Sequence, residues 1–465
     1  MAVQTQPRGA RAKATPESGK PLYYETLVFS NLKCFRGQHL VDFRGRDKRP
    51  SLWTLLLGEN GVGKTSVLQM LAWMRPVEPP EEKRTIEPAL FGEPDNYLFL
   101  RLVRQAEGAT QMTIKATFDR REQTDERQVH TYLYVATNSG DPHTGDIAKL
   151  ADIKLGRGQN SSAPAPNLPL IAYGANRQIG AKNLGDPVLS DPVAMLFSSV
   201  TILYDPESIL RDLDYAFRMK KRGATARRTQ FLELIATIAP AIGAVSNIRF
   251  MGPSIKADEG DLTGIKFQTR SGLVPFSGMS LGQQTTIAWA LDLAWRLVRL
   301  YPNSKRPMRE PAIVLVDEID LHLHPKWQQN LRGYLSQHFP ATQFIATAHS
   351  PLMAQASLDA NIVVFQENSG EISIWNDAER LLDWRLDQVV TALFGLSSGR
   401  GLEVNALLDE RDQLLDNPHR TLAEDLLLTD LKVRIAGLSS PDPIADRAAM
   451  DIIRRAAARL GKASD

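Results

Sequence analysis

The sequence predicts an α/β protein built on a parallel sheet, with an antiparallel subsheet, a helical insertion and a helical C-terminal tail. Three observations carry this prediction. The apolar run Leu52 to Leu57 passes into a glycine-rich loop and then a helix that starts near Lys64 and ends before Arg75-Pro76. Two further apolar runs, Ala312 to Val316 and Gln343 to Ala348, flank a helical stretch. Strands this uniformly apolar, alternating with helices, are those covered on both faces. The composition, 465 residues with 43% hydrophobic, 23% charged and a formal net charge of +2, is that of an ordinary globular protein.

Element by element, residues 1–21 read as a disordered basic tail without the apolar core of a signal peptide. Residues 22–185 form a first lobe. In it Tyr23 to Phe29 and His39 to Phe43 are strands, and Met112 to Phe118 and His130 to Val135 alternate as an antiparallel subsheet does. Leu155 to Pro169 is a Gly/Ser/Pro-rich loop and Leu170 to Tyr173 another strand. Residues 186–247 read as a helical insertion with a basic run. Residues 248–377 form a second lobe, with strands at Ile248 to Phe250, Gly264 to Thr269, Ala312 to Val316 and Gln343 to Ala348 and a strand pair over Ile362 to Ile374. Residues 378–465 read as helices. No apolar run reaches the 18 or more residues of a membrane span, and the single cysteine, Cys34, excludes an intramolecular disulfide and a cysteine-based zinc site. The expected location is cytoplasmic.

Gly58-Glu59-Asn60-Gly61-Val62-Gly63-Lys64-Thr65 fits G-x-x-x-x-G-K-[ST] between a strand and a helix, as a phosphate loop requires. Backbone N–H groups wrap the β-phosphate, Lys64 neutralises β- and γ-oxygens, and Thr65 offers its hydroxyl to Mg²⁺. Asn60, Gly61, Gly63, Lys64, Thr65 and Ser66 are the candidate nucleotide contacts, with ATP and Mg²⁺ the implied ligands. The strand Ile313 to Val316 ends in Asp317-Glu318, where an open parallel sheet binds its ligands. Asp317 is the candidate metal ligand and Glu318 the candidate base for an attacking water. Phe276 to Gln284 places Ser280 and Gly282 at a helix N-terminus. Ser280 is either a simple N-cap or, with Gly282 and Gln283, a contact to the γ-phosphate held by a second subunit. His349, just past a buried strand, is a candidate γ-phosphate sensor.

With these residues in place, the chain over roughly residues 22–375 resembles the ABC ATPases of the SMC and RecF type, in the branch that includes the overcoming-lysogenization-defect ATPases. Gly58 to Thr65 is similar to Walker A, Met279 to Gln283 to the LSGGQ signature, Ile313 to Glu318 to Walker B, Asp320 to Pro325 to the D-loop and His349 to the H-loop. Asn31 to Phe35 looks like the family's N-F-R-S-F element, which puts Lys33 where a cation touches phosphate. Ala172 to Gln178 occupies the place of the Q-loop, which makes Gln178 the candidate metal and water contact. The departures are Met279 for Leu and Leu281 for a small residue. Asp317 to Gln329, the Thr-Ala-His-Ser-Pro segment and the tail residues Trp384, Asp387, Gln388, Leu393 to Leu396 and Arg400 resemble the stand-alone ATPases of bacterial antiphage systems of the Septu and retron-associated kind. The ATPase of the PARIS system is a related alternative. The resemblance implies an ATP-dependent homodimer or larger homo-oligomer that controls a separate nuclease, of HNH type for Septu or Toprim type for PARIS.

Absences narrow the choice. Only about 214 positions separate Lys64 from Met279, too few for long coiled-coil arms, and no sustained heptads occur. No D-x-D pair follows residue 351, so no Toprim nuclease is visible in the chain. His322 and His324 are spaced to bind a metal, but their D-loop context opposes it. In the insertion, Arg218, Lys220, Lys221, Arg222, Arg227 and Arg228 fall within eleven positions. They read as a nucleic-acid patch, a protein dock or a solvated surface, and no aromatic is interleaved with them. The C-terminal helices Glu403 to Leu415, Leu422 to Ile435 and Ile444 to Leu460 either pack on the core or form a partner platform. The competing function is a RecF- or SMC-like DNA-binding ATPase of DNA repair.

Overall fold

The computed structural model describes residues 21–74, 111–120, 130–137, 169–181, 192–197, 202–238, 247–251, 264–269, 272–321, 323–356, 360–368, 370–376, 402–417 and 420–437. The expectations for residues 1–20, for most of Leu155 to Pro169, and for His322, Trp384 to Arg400 and Ile444 to Leu460 lie outside these residues. The chain divides into two units, Met1–Val389 and Val390–Asp465.

In chain order the first unit opens with β1 (Leu22–Leu32), β2 (Phe35–Asp42), β3 (Trp53–Gly58), α1 (Lys64–Trp73), β4 (Gln111–Arg120) and β5 (His130–Thr137). Next come β6 (Leu170–Tyr173), β7 (Gln178–Ala181), β8 (Ile202–Tyr204), α2 (Pro206–Arg218), α3 (Ala224–Ile238), β9 (Asn247–Met251), β10 (Gly264–Thr269) and β11 (Gly272–Pro275). It closes with α4 (Leu281–Leu300), β12 (Ala312–Val316), α5 (Pro325–His338), β13 (Thr342–Ala348), α6 (Pro351–Gln355), β14 (Asn361–Asn368) and β15 (Glu371–Trp375).

The central sheet has the order β15-β14-β3-β13-β12-β6. Every neighbouring pair is parallel except β14 with β15, which closes one edge antiparallel. All residues of β3, β6, β12 and β13 are buried, which is why these segments read as unbroken apolar runs. α1 lies against β3, β12 and β13 and sinks Val67, Leu68, Met70 and Leu71 completely, each worth about 1.5–3 kcal/mol of burial. A second sheet, β2-β1-β4-β5, is antiparallel and contributes Tyr24, Leu27, Phe29, Phe35 and Phe118 to the same core. The fully buried Gln343 of β13 links the two sheets. Its amide accepts from the Tyr24 N–H (2.8 Å) and donates to the carbonyls of Tyr24 (2.9 Å) and Ser51 (3.0 Å).

The insertion is not purely helical. Between residues 186 and 247 the strand β8 pairs in parallel with β7, and α2 and α3 follow it. Three residues are too few to show a period, and Leu203 and Tyr204 are buried as they would also be in a helix. Both α2 and α3 lie against α4, so the insertion shares a core with the helix that follows Ser280. The second unit contains α7 (Leu402–Asp416) and α8 (Leu422–Gly437), which lie against each other and bury Leu428 and Leu431.

Candidate nucleotide-binding site

The parallel strands deliver their carboxyl ends to one rim of the sheet. From β3 the chain turns through Gly58, Gly61 and Gly63, all at positive φ (147°, 86° and 90°), a conformation a side chain resists. A Cβ at Gly63 would sit 2.5 Å from the Phe35 ring and 2.7 Å from Cys34 Sγ, and one at Gly58 would meet the Phe365 carbonyl. The Asn31 to Phe35 element therefore lies directly against the loop. Lys33 in that element donates to Gln69 Oε1 of α1 at 2.9 Å, and the Gln69 amide donates to the Leu196 carbonyl at 3.1 Å. Burial lowers the Lys33 pKa.

Lys64 opens α1 and folds back, its ammonium donating to the carbonyls of Gly58 (2.8 Å) and Glu59 (2.6 Å). Burial lowers its pKa to about 8 even though Asp317, Glu318, Asp320 and Glu59 oppose the shift. The next residue, Thr65, donates its hydroxyl to both carboxylate oxygens of Asp317, at 2.9 and 3.1 Å. A hydroxyl and a carboxylate in contact are the hard oxygen donors Mg²⁺ takes from a protein, with water and phosphate completing its shell. Asn60 and Gly61 are exposed at the loop, while Ser66 is buried under it.

Asp317 and Glu318 are held from two strands, β6 and β13, and from the loop that follows β6. The Asp317 N–H donates to the Tyr173 carbonyl of β6 at 2.8 Å, and the Ile319 N–H to the Thr347 carbonyl of β13 at 2.9 Å. The Thr347 hydroxyl accepts from the Glu318 N–H and donates to Asp317 Oδ1, both at 2.7 Å. The Arg177 guanidinium donates to the carbonyls of Asp317 (3.2 Å) and Glu318. The His349 N–H donates to Asp320 Oδ2 at 2.9 Å, which ties the D-loop candidate to the end of β13. Burial, then the nearby Lys64 charge, lowers the His349 pKa, so its imidazole is neutral at neutral pH and can donate one N–H.

These placements distribute the expected residues unevenly. Lys64, Thr65, Asp317, Glu318, Asp320 and His349 gather at one rim, with Lys33 against the loop beside them. Gln178 lies exposed on β7 opposite Ile202, and its neighbour Arg177 is the residue of that segment that reaches Asp317 and Glu318. Ser280 caps α4 in a capping box. Its hydroxyl accepts from the Gln283 N–H (3.4 Å) and its own N–H donates to Gln283 Oε1 (3.0 Å). Ser280 and Leu281 are exposed and Gly282 half-buried. Arg177 and Thr347 join the site only in the folded chain. The signal for each was slight: a cation one position before the chosen glutamine, and a hydroxyl two positions before the histidine.

The basic cluster differs from its expectation. Arg218 (2.7 Å) and Arg228 (3.2 Å) both pair with Asp214, and Arg227 donates to the Pro302 carbonyl at 2.6 Å. Aromatics do interleave with it, because the α2 turn and β9 bring in residues from outside the run. Lys221 stands 5.4 Å from the Tyr215 ring centroid, and Arg228 stands 4.7 and 4.9 Å from those of Phe217 and Phe250. Part of the charge is therefore engaged locally, while Lys220, Lys221 and Arg222 stay exposed.

Residues 54–354 match the family described as "AAA domain, putative AbiEii toxin, Type IV TA system". The chain is 46% identical over 89 residues to the "Retron Vc95 probable ATPase" of Vibrio cholerae, which covers 19% of the chain and 17% of that relative. It is 25% identical over 403 residues to the "Septu protein PtuA" of Bacillus mycoides, covering 86% of the chain and 48% of that relative. The chain thus spans about half the length, or less, of these curated relatives. Among solved structures, an SMC head bound to the C-terminal winged-helix domain of ScpA aligns with a TM-score of 0.41 and 16% identity over 77% of the chain and 99% of its own. Among the described residues, no helix is long and apolar enough to cross a membrane.

Proposed function

From the premise that the chain belongs to the family described as AAA domain, putative AbiEii toxin, type IV toxin–antitoxin system, we propose that it is the ATPase subunit of a bacterial antiphage system. In this reading it dimerises on ATP and controls a separate nuclease, of HNH or Toprim type. The observation that carries the ATPase reading is the hydrogen-bonded pair Thr65–Asp317, with Lys64 and Glu318 beside it at one sheet rim. The relatives named as a Septu protein and a retron ATPase support the defence setting.

The chemistry follows from the side chains. Loop N–H groups and the Lys64 ammonium receive β- and γ-phosphate oxygens and orient them at the N-terminus of α1. Thr65 and Asp317 would hold Mg²⁺, which neutralises phosphate charge when bound. Glu318 accepts the proton of the attacking water, and the neutral His349 donates an N–H toward the γ-phosphate. Ser280, Gly282 and Gln283 of a second copy complete the phosphate's surroundings, so the site is shared between subunits.

The test is Glu318→Gln. The variant should bind ATP within about threefold of the parent while turnover falls about 100-fold or more, the scale expected on removing a general base. Nucleotide-loaded dimer should accumulate in light scattering. Turnover at the parental rate would remove Glu318 from the role of base.

A further inference from the structure

Glu318 has φ at +46°, a left-handed backbone in a residue with a side chain. Such a conformation persists only where the surroundings over-determine it, and it clusters at functional sites. Here the surroundings are specific. The N–H groups of Asp317, Glu318 and Ile319 are taken by the Tyr173 carbonyl, the Thr347 hydroxyl and the Thr347 carbonyl. On the carbonyl side, Glu318 accepts from the Leu321 N–H at 3.0 Å, and Arg177 spans the two consecutive carbonyls of Asp317 and Glu318.

Arg177 is an expensive residue to keep in this place. It is only 9% exposed, its Nε makes no hydrogen bond, and burial lowers its pKa to about 10 against the pull of Asp317, Asp320 and Glu318. A group retained only for stability could be replaced by an apolar side chain at little cost. Both bonds leave one terminal nitrogen, Nη2, whose two hydrogens lie fixed in the guanidinium plane, whereas the ammonium of a lysine rotates freely on a shorter stem. The strand before it is itself anchored. Tyr173, four residues earlier, donates its hydroxyl to Asp292 of α4 at 2.7 Å, and Asp292 is fully buried.

We infer that Arg177 is a positioning residue that, by bridging the Asp317 and Glu318 carbonyls, holds the Glu318 backbone in its left-handed turn and so fixes where the base's carboxylate sits. The inference rests on the reading of Glu318 as the base, and its test separates the two.

In the full chain, Arg177→Lys and Arg177→Ala are compared with the parent by hydrogen exchange and by turnover. The amides of Glu318 and Ile319 should exchange about tenfold faster or more in both variants, with those of α1 unchanged, because the local hold is lost without global unfolding. Unchanged exchange at Glu318 overturns the inference. In turnover, Arg177→Lys should lower kcat about 30-fold or more while the Kd for ATP moves less than about threefold, a split that marks loss at the transition state. Millimolar guanidinium should restore part of the kcat of Arg177→Ala, and methylammonium should not. A joint loss of binding, kcat and melting temperature without guanidinium rescue overturns the positioning role in favour of a merely structural one. If Glu318→Gln turns over normally, the base reading fails, while the exchange measurement still decides what Arg177 holds.

Discussion

At the scale of single residues, Lys64 sets a pH limit on the site. Its pKa is lowered from 10.5 to about 8 by burial, so the ammonium that phosphate needs is present below that value and titrates away above it. Binding an anion re-protonates the amine, which means that above pH 8 the protein must take up a proton to bind nucleotide. ATP affinity should therefore be flat below about pH 8 and fall above it, by up to about one decade per pH unit. Calorimetric titration across pH 6.5 to 9.5 in buffers of differing ionisation enthalpy checks both the fall and the proton uptake. Affinity independent of pH over that range would show that the Lys64 amine stays protonated in the free site.

At the scale of elements, α4 joins two tasks. Its N-terminus carries the capping box of Ser280 and Gln283. Its middle carries the fully buried Asp292, which accepts from Tyr173 and from the Tyr204 N–H (2.9 Å) and pairs with Arg296 (2.6 Å). That network ties the helix to β6 and β8, so the exposed N-terminus is borne on a fixed body. A cap accounts for Ser280 by itself, and two substitutions separate the cap from a contact to phosphate. Ser280→Ala should cost about 1 kcal/mol of stability through the lost cap. Ser280→Asp keeps a good capping oxygen but adds a negative charge. If Ser280 meets a phosphate held by a second copy, Ser280→Asp should keep the parental melting temperature and lose turnover about tenfold or more. Mixing it with Lys64→Ala should then restore part of the activity. Parental turnover in Ser280→Asp would leave the cap as its whole role.

At the scale of the whole molecule, the two units divide the proposed work. The first holds the nucleotide residues. In the second, α8 exposes Leu422 (83%), Leu426 (67%) and Val433 (67%), a surface with the character of a protein contact. Deleting residues 378–465 should leave ATP affinity within about twofold of the parent, since the folded core and its ligand groups lie elsewhere. If the proposed nuclease partner docks on this surface, the same deletion should abolish its co-purification with the chain. Intact co-purification would exclude the tail as a platform.

Where the chemistry is contiguous, the sequence alone determined the result. The loop Gly58 to Thr65 packs its phosphate chemistry into eight successive residues, and the apolar runs at β3, β12 and β13 declare a parallel sheet because a strand covered on both faces has no polar side to show. Asp317-Glu318 was legible for the same reason, as two carboxylates at the end of such a run. The short β8 leaves no signal, because three residues carry no period, and nothing local distinguishes Gln178 from the adjacent Arg177. Only the tertiary structure shows that Arg177, next to Gln178, reaches the carbonyls of Asp317 and Glu318. The order β14-β3-β13-β12-β6 sets Thr65 against Asp317 across 252 positions, Arg177 against Asp317 across 140 and Thr347 against Asp317 across 30. Hydrogen bonds over such separations follow from strand order and register, which depend on how the whole core packs and leave no mark in any local stretch of sequence.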